Sequence, residues 1–400
     1  MILLSTLLVL VAGILLLPTL SDAFSIARTA LRNPSAPSGV PMEMPRMLFL
    51  VPAHNEELLI DSCIKSILAA EYPRHLFSVY VIADNCTDGT ADVARAAKVH
   101  CLERHDLGRP GKPQAIAWAL ERIPLARYAA VVIIDADSAI APGFLAALAS
   151  AGQLTHKAAQ AYYDVYNRTQ SALTRLAVVL SAANHRFAYP LKHRAGLNAP
   201  LVGNGMCIGA HVLRTHGWHA FSICEDWEQY ALLTEQGVSI EPVPNAVVYA
   251  QEAHTLAQSS TQRQRWTAGR LTVLARLGLP ILRSRRIGLH QKLDAIAELT
   301  APGPVVHLGL AIMLTPLALV LGLPPVVSFL LLASLLRPVA YAVAGLWVQP
   351  DPLRTIGAFR FLPVYTLWRM GAAVAAMRML GNKPWIRTPR HRHVTPDPRP

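Results

Sequence analysis

The chain has 400 residues, of which 52% are apolar and only 16% charged, and its mean hydropathy is +0.32. A soluble globular chain carries roughly 25% charge, so this composition excludes general disorder and argues against a wholly soluble protein. The net charge of +12 suits an anionic membrane surface or phosphate-bearing substrates, and the acidic motifs below make a nucleic-acid groove the poorer fit.

Residues 1–20 contain no charged side chain and are dominated by Leu, Val and Ile, enough as a helix to span a hydrocarbon layer of about 30 Å. A cleaved signal peptide is the rival reading. It lacks support in a basic leading region or a small-x-small cleavage site, so a transmembrane helix is expected over 1–24. Arg28 and Arg32 follow it, which places the next domain in the cytoplasm, after a Pro/Ser-containing linker over 25–45.

From Met47 the pattern becomes α/β. Met47–Ala53 is an unbroken apolar run, typical of a buried parallel strand. Asn55-Glu56-Glu57 is expected to open a helix running to about Ala70. Phe77–Ala83 reads as a second strand, ending at Asp84-Asn85-Cys86-Thr87-Asp88-Gly89-Thr90 and followed by a helix over 90–98. A loop over 105–113 leads into another helix to about 122. Ala129–Ile134 is a third strand, ending at Asp135-Ala136-Asp137. Strand, polar loop and helix in repetition predict a largely parallel sheet, with ligands beyond the carboxyl ends of its strands. Further on, a strand is expected over Ala158–Val165, a helix over 169–189, a glycine-rich loop through Gly203, Gly205 and Gly209, and a helix over 224–236. Cys63, Cys86, Cys101, Cys207 and Cys224 show no C-x-x-C spacing, which indicates neither a disulfide scaffold nor a structural zinc site, and a reducing compartment.

The last third is apolar again. Residues 273–300 read as interfacial helices. Residues 299–336 lack Asp, Glu, Lys and Arg, and Pro324-Pro325 divides this region into expected crossings over 301–323 and 325–348. In 355–380, Arg360, Arg369 and Arg378 recur every nine residues. A crossing would bury Arg369 near the bilayer centre, so an interfacial helix is expected, with a further crossing as the alternative. A basic tail over 381–400 would then stay cytoplasmic.

Four constellations could do chemistry. The carboxylates of Asp135 and Asp137 can share a divalent cation that neutralises phosphate, although aspartates at strand ends also cap helices. Asp84 ends a neighbouring strand and could meet a ribose or base. Glu225-Asp226 offers a general base, or merely two carboxylates favoured by a helix N-terminus. Gln262, Arg265 and Trp266 can share one helix face, as a diphosphate and sugar contact or as an interfacial anchor. Gly108-Arg109-Pro110-Gly111-Lys112 lacks the Walker spacing, which leaves Lys112 as a candidate phosphate contact.

In order along the chain stand Val51-Pro-Ala-His-Asn-Glu56, Ala83-Asp-Asn-Cys-Thr-Asp-Gly-Thr90, Asp135-Ala-Asp137, Glu225-Asp226 and Gln262-Arg-Gln-Arg-Trp266. Apolar segments follow, then Trp385-Ile-Arg-Thr-Pro-Arg390. Together these resemble the membrane-integrated family 2 glycosyltransferases, the group of cellulose, chitin and hyaluronan synthases. The resemblance implies a nucleotide-sugar-binding GT-A domain over 46–272, flanked by transmembrane helices. It implies an inverting transfer of a hexosyl or N-acetylhexosaminyl unit from a UDP-sugar to a carbohydrate or lipid-linked acceptor.

On the donor side it implies Pro52, Glu56, Asp84, Lys112, Asp135, Gln262 and Arg265. Asp137 with Asp135 would hold Mg2+ or Mn2+, Asp226 would be the catalytic base, and Glu225, Trp266 and Asn204 would face the acceptor. Membrane lipid and polysaccharide-export proteins are the implied partners, nucleic acid is not, and the implied place is the bacterial inner membrane. The alternative is a non-catalytic scaffold of a polysaccharide assembly complex, retaining a degenerate glycosyltransferase fold.

Overall fold

The computed structural model describes residues 2–31 and 44–379; the tail expected over 381–400, with its Trp385–Arg390 motif, and most of the linker lie outside them. The chain forms two compact units. One comprises 44–167 and 198–252, the other 2–31, 168–197 and 253–379 among the described residues. The division differs from a single catalytic block over 46–272, because 168–197 and the helix carrying Gln262 belong with the apolar helices.

The first unit is built on an eight-stranded sheet. Its strands are β1 (Met47–Ala53), β2 (Phe77–Asp84), β3 (His100–Arg104), β4 (Ala130–Ile133), β5 (Ala139–Ile140), β6 (Ala158–Val165), β7 (Met206–Gly209) and β8 (Ile240–Ala250). They lie in the order β3-β2-β1-β4-β7-β6-β8-β5. The first four are parallel, with Met47 beside both Phe77 and Ala130, whereas β7 is antiparallel to β4 and β6. The sheet is thus mostly parallel, and the carboxyl ends of β1, β2 and β4 open on one edge.

Burial explains why the runs form strands. Met47–Val51 is buried without a break, as a strand covered on both faces must be. Helix Ile60–Leu68 buries Ile60, Cys63, Ile64 and Ile67, the i, i+3, i+4, i+7 stripe of one helical face. Phe49 packs against Phe77 and Phe144 with ring centroids 6.1 Å apart in each pair, which closes the core under the sheet. The helix expected from Asn55 starts only at Ile60, because Asn55 is in the left-handed region at φ +56 and Asn55, Glu56 and Glu57 hydrogen-bond across to the 86–90 loop. Strand β8 was hidden by Pro242 and Pro244, which argue against a strand. A register shift between Ala161 and Tyr162 accommodates it. The edge strand β3 lacks a clean alternation of burial, so it left no period in the sequence.

The second unit is helical. Helix Ile2–Leu31 includes the first residues expected as linker, and helix Pro325–Ser334 runs on through Leu336–Trp347. Leu3–Leu31 and Pro325–Trp347 are long and apolar enough to cross a membrane. Leu289–Thr300 and Pro304–Val320 would make a further span if taken together, but they are bent by 82° at Gly303 and its neighbours. The region expected as one helix over 355–380 is broken into Pro352–Ile356, a 3-10 stretch Gly357–Phe361 and Leu362–Ala376. The helix expected over 169–189 begins at Ala172, capped by Ser171, and continues through a π-turn, Ala183–Ala188, into Tyr189–Arg194. Large apolar side chains such as Leu3, Val320, Phe329 and Trp347 are exposed, the surface a lipid would cover.

An ionic cluster ties these helices together, and the sequence patterns did not reveal it. Buried Lys192 bonds Asp294 and lies 2.7 Å from Glu298. Arg337 reaches Glu298 at 2.7 Å and Asp22 at 3.0 Å, and the Tyr341 hydroxyl donates to Asp22 at 2.9 Å. Arg337, an isolated charge in an apolar run, is therefore neutralised by carboxylates from two other helices.

Candidate active site

The loops after β1 and β2 interlock. Asn55 Oδ1 accepts the Thr87 N–H at 2.8 Å, Glu57 Oε2 accepts the Gly89 N–H at 2.8 Å, and the Glu56 N–H donates to Thr90 Oγ1 at 2.8 Å. The Glu56 carbonyl accepts from Leu59 and Ile60 at 3.0 Å, a turn that leads into helix Ile60–Leu68. Pro52 sits beside Ile82 near the end of β1. Asp84, at the end of β2, is buried and already held. Arg104 Nη1 donates to its Oδ1 at 2.6 Å, and the Gly111 N–H to its Oδ2 at 3.1 Å. Arg104 also donates to Asp106 at 2.9 Å and to the Arg109 carbonyl at 2.7 Å, so one buried ion pair shapes the whole 105–111 loop. Sequence reasoning passed over Arg104; a lone basic residue closing an unrecognised strand gave little signal.

Beyond β4 the chain turns at Asp135, whose carbonyl accepts the Ser138 N–H at 3.1 Å. Asn204, expected on the acceptor side, is instead buried. Its side chain accepts the Asp135 N–H at 3.2 Å and donates to Ser138 Oγ at 2.8 Å, so it braces this turn. Gln160, also unforeseen, ties the 202–204 loop to β6 by donating to the Asn204 carbonyl at 2.9 Å and accepting the Val202 N–H at 3.0 Å.

Lys112 gathers three segments. Its ammonium donates to Asp135 Oδ1 at 2.7 Å and to the Gly203 carbonyl at 2.6 Å, and lies 3.2 Å from Glu225 Oε1. Burial works against its charge, but the fields of Asp135 and Glu225 outweigh it and hold the lysine protonated, above its ordinary range.

Asp226 stands in the first turn of helix Glu225–Glu235, with Oδ1 accepting the Trp227 N–H at 2.8 Å. Gly203, at φ +78, lets the loop pass close by: a Cβ there would lie 3.2 Å from Asp226 Oδ2. Burial, and then the charge of Glu225, push the Asp226 carboxyl up to about 7. A carboxyl so placed can take a proton near neutral pH.

No three His, Cys, Asp or Glu side chains gather as a self-sufficient metal cage among the described residues. Two carboxylates on one strand-end turn suit a hard divalent cation that completes its shell with water and phosphate oxygens, so the donor set present fits Mg2+ or Mn2+.

Gln262, Arg265 and Trp266 lie on helix Leu256–Arg283 of the helical unit, capped by Thr255 Oγ1, which accepts the Gln258 N–H at 3.2 Å. The Arg263 guanidinium lies 4.7 Å from the Trp266 ring centroid. The structure thus gathers Asp84, Lys112, Asp135, Asn204, Glu225 and Asp226 within the sheet unit, and sets the Gln262–Trp266 group on a helix of the other.

Comparison with known families matches residues 45–269 to the family described as "Glycosyltransferase like family 2". A probable glycosyltransferase, YdaM, of Bacillus subtilis (strain 168) is 23% identical over 245 residues, covering 57% of this chain and 56% of that protein. A beta-monoglucosyldiacylglycerol synthase of Nostoc sp. (strain PCC 7120) is 26% identical over 233 residues, covering 56% of this chain and 49% of that protein. The matched stretch thus spans about half the length of these relatives. Among solved structures, the mannosyltransferase PcManGT from Pyrobaculum calidifontis, in complex with GDP-Man and Mn2+, superposes with a TM-score of 0.59 at 19% identity, covering 94% of this chain and 97% of that chain. That last likeness is one of fold.

Proposed function

Because the chain belongs to glycosyltransferase family 2, we propose that it moves a hexosyl or N-acetylhexosaminyl unit from a nucleoside-diphosphate sugar, first of all a UDP-sugar, to a carbohydrate or lipid-linked hydroxyl, with inversion. The observation that carries this reading is the convergence of Asp135, Glu225 and the Gly203 carbonyl on Lys112, with Asp226 against Gly203. Asp226, its carboxyl pushed up to about 7, takes the proton of the acceptor hydroxyl as that oxygen attacks the anomeric carbon opposite the diphosphate. Glu225 is proposed as an acceptor contact of the sheet unit; on the helical unit the family resemblance gives Trp266 an acceptor role and Gln262 and Arg265 a diphosphate role. The pair Asp84–Arg104 frames the nucleotide pocket, with Pro52 and Glu56 at its rim.

Asp135 and Asp137 would hold Mg2+ or Mn2+, which when bound neutralises the leaving diphosphate. The two apolar helices fit an enzyme seated in a bacterial inner membrane, with the sheet unit on the cytoplasmic side and a lipid-borne acceptor within reach. The name of the Nostoc relative supports diacylglycerol as that acceptor.

A donor screen on the protein in lipid tests this: UDP-glucose, UDP-N-acetylglucosamine, UDP-galactose and GDP-mannose, each with Mg2+ or Mn2+ and a membrane lipid extract. We expect nucleoside diphosphate release with one donor, and the product mass separates a single addition from a polymer. Silence with every donor, together with no metal-dependent donor binding, would leave the scaffold reading in its place.

A further inference from the structure

We infer that Lys112 is the resident cation of the metal site: without donor it occupies the field of Asp135 and Glu225, and it makes the divalent ion wait for the nucleoside diphosphate. This rests on the proposed function, in that Asp135 and Asp137 are taken as the metal carboxylates.

The argument starts from the ammonium, which has three donors. In the structure it faces three oxygens: Asp135 Oδ1 at 2.7 Å, the Gly203 carbonyl at 2.6 Å and Glu225 Oε1 at 3.2 Å. Its backbone is pinned as well. Lys112 opens helix Lys112–Leu120 directly after Gly111, which takes φ +108 and donates its N–H to Asp84 Oδ2 at 3.1 Å. The Lys112 side chain remains 23% exposed and that of Asp135 37%, so the pair is open to a ligand.

A divalent ion held by Asp135 would have to share a carboxylate that the Lys112 ammonium already occupies. The two cations would then lie close together, and like charges so placed repel. A diphosphate supplies the negative charge that both cations can share. Lys112 is then free to turn from Asp135 to a phosphate oxygen while the metal takes the carboxylate. Metal and nucleotide therefore bind with positive coupling, and linkage makes that coupling reciprocal. The side chain acts as a positioning residue that also sets the order of entry.

The test is Mn2+ binding to the full-length protein in detergent, followed by electron paramagnetic resonance with and without UDP or GDP, for wild type, Lys112→Gln and Lys112→Arg. Glutamine removes the charge while keeping a donor for the Gly203 carbonyl, and a thermal melt of each variant checks that it is folded. For wild type we expect weak Mn2+ binding alone and binding tightened about tenfold or more by the nucleotide. Lys112→Gln should bind Mn2+ alone about tenfold more tightly than wild type and lose most of the nucleotide enhancement, whereas Lys112→Arg should behave as wild type. If nucleotide-dependent Mn2+ binding is seen in wild type but Lys112→Gln binds the bare ion no better, the inference falls and the site reading stands. If no nucleotide brings Mn2+ to wild type, the metal assignment falls and the inference with it.

Discussion

Asp226 combines a helix N-terminus, which favours a carboxylate, with burial and the neighbouring charge of Glu225, which disfavour it; the latter win, and the carboxyl is held near 7. Asp226→Asn should lower kcat by about 10²–10⁴-fold and leave donor binding near the wild-type level, read by turnover and by titration with a UDP-sugar. In wild type, kcat/KM should fall as the pH drops through about 7, since the base must be ionised. The stability sign is opposite. A carboxyl with its folded-state value raised binds its proton more tightly in the native state, so the stability it contributes fades as pH rises from about 4 to about 7. The melting temperature of Asp226→Asn should therefore exceed that of wild type at pH 8 and approach it near pH 4. Gly203→Ala forces an L-residue into φ +78 with its Cβ 3.2 Å from Asp226 Oδ2. Strain of about 1–2 kcal/mol is expected, together with a loss of turnover larger than the loss of stability, checked by comparing kcat with Tm.

At the scale of elements, the site depends on loops held by side chains more than by backbone ladders. Arg104 on β3 and Asp84 on β2 neutralise each other while Arg104 gathers the 105–111 loop. Removing the guanidinium by Arg104→Ala leaves a buried carboxylate uncompensated, which should cost about 3–5 kcal/mol. We expect a lowered Tm and a raised donor KM in steady-state assays. The Asp135–Asp137 turn was legible because two acids following an apolar strand stand out in any reading. Its brace was not. Asn204 looked like a ligand contact in a glycine-rich loop, and only the tertiary approach of Gly205, where a Cβ would stand 2.8 Å from that of Ala161, turns Asn204 inward.

For the molecule as a whole, the cluster of Lys192, Asp294, Glu298, Arg337 and Asp22 makes the N-terminal helix part of the helical unit. Arg337→Met breaks the link between Asp22 and Glu298 and should lower the Tm in detergent markedly, since buried acids lose their cation. The proposed orientation has its own check. Glu121→Cys, on an exposed position of the sheet unit, should react with an impermeant maleimide in inside-out vesicles and be protected in right-side-out cells. Labelling from outside would reverse the topology.

Local signals were sufficient to determine the two long apolar helices Leu3–Leu31 and Pro325–Trp347 and the strands β1, β2, β4 and β6, because a span of membrane-crossing length, or continuous burial on two faces, demands uninterrupted apolar residues whatever the neighbours. The order of acidic landmarks was legible in the same way and led to the family. Tertiary structure decided what those patterns cannot encode. It paired the proline-bearing β8 through a register shift, moved 168–197 among the apolar helices, and spent Asn204 and Asp84 on bracing and ion pairing. It also set Lys112 between Asp135 and Glu225. The physical reason is common to these cases: the free energy of a buried polar group is set by partners that are remote in sequence, and no local period records them.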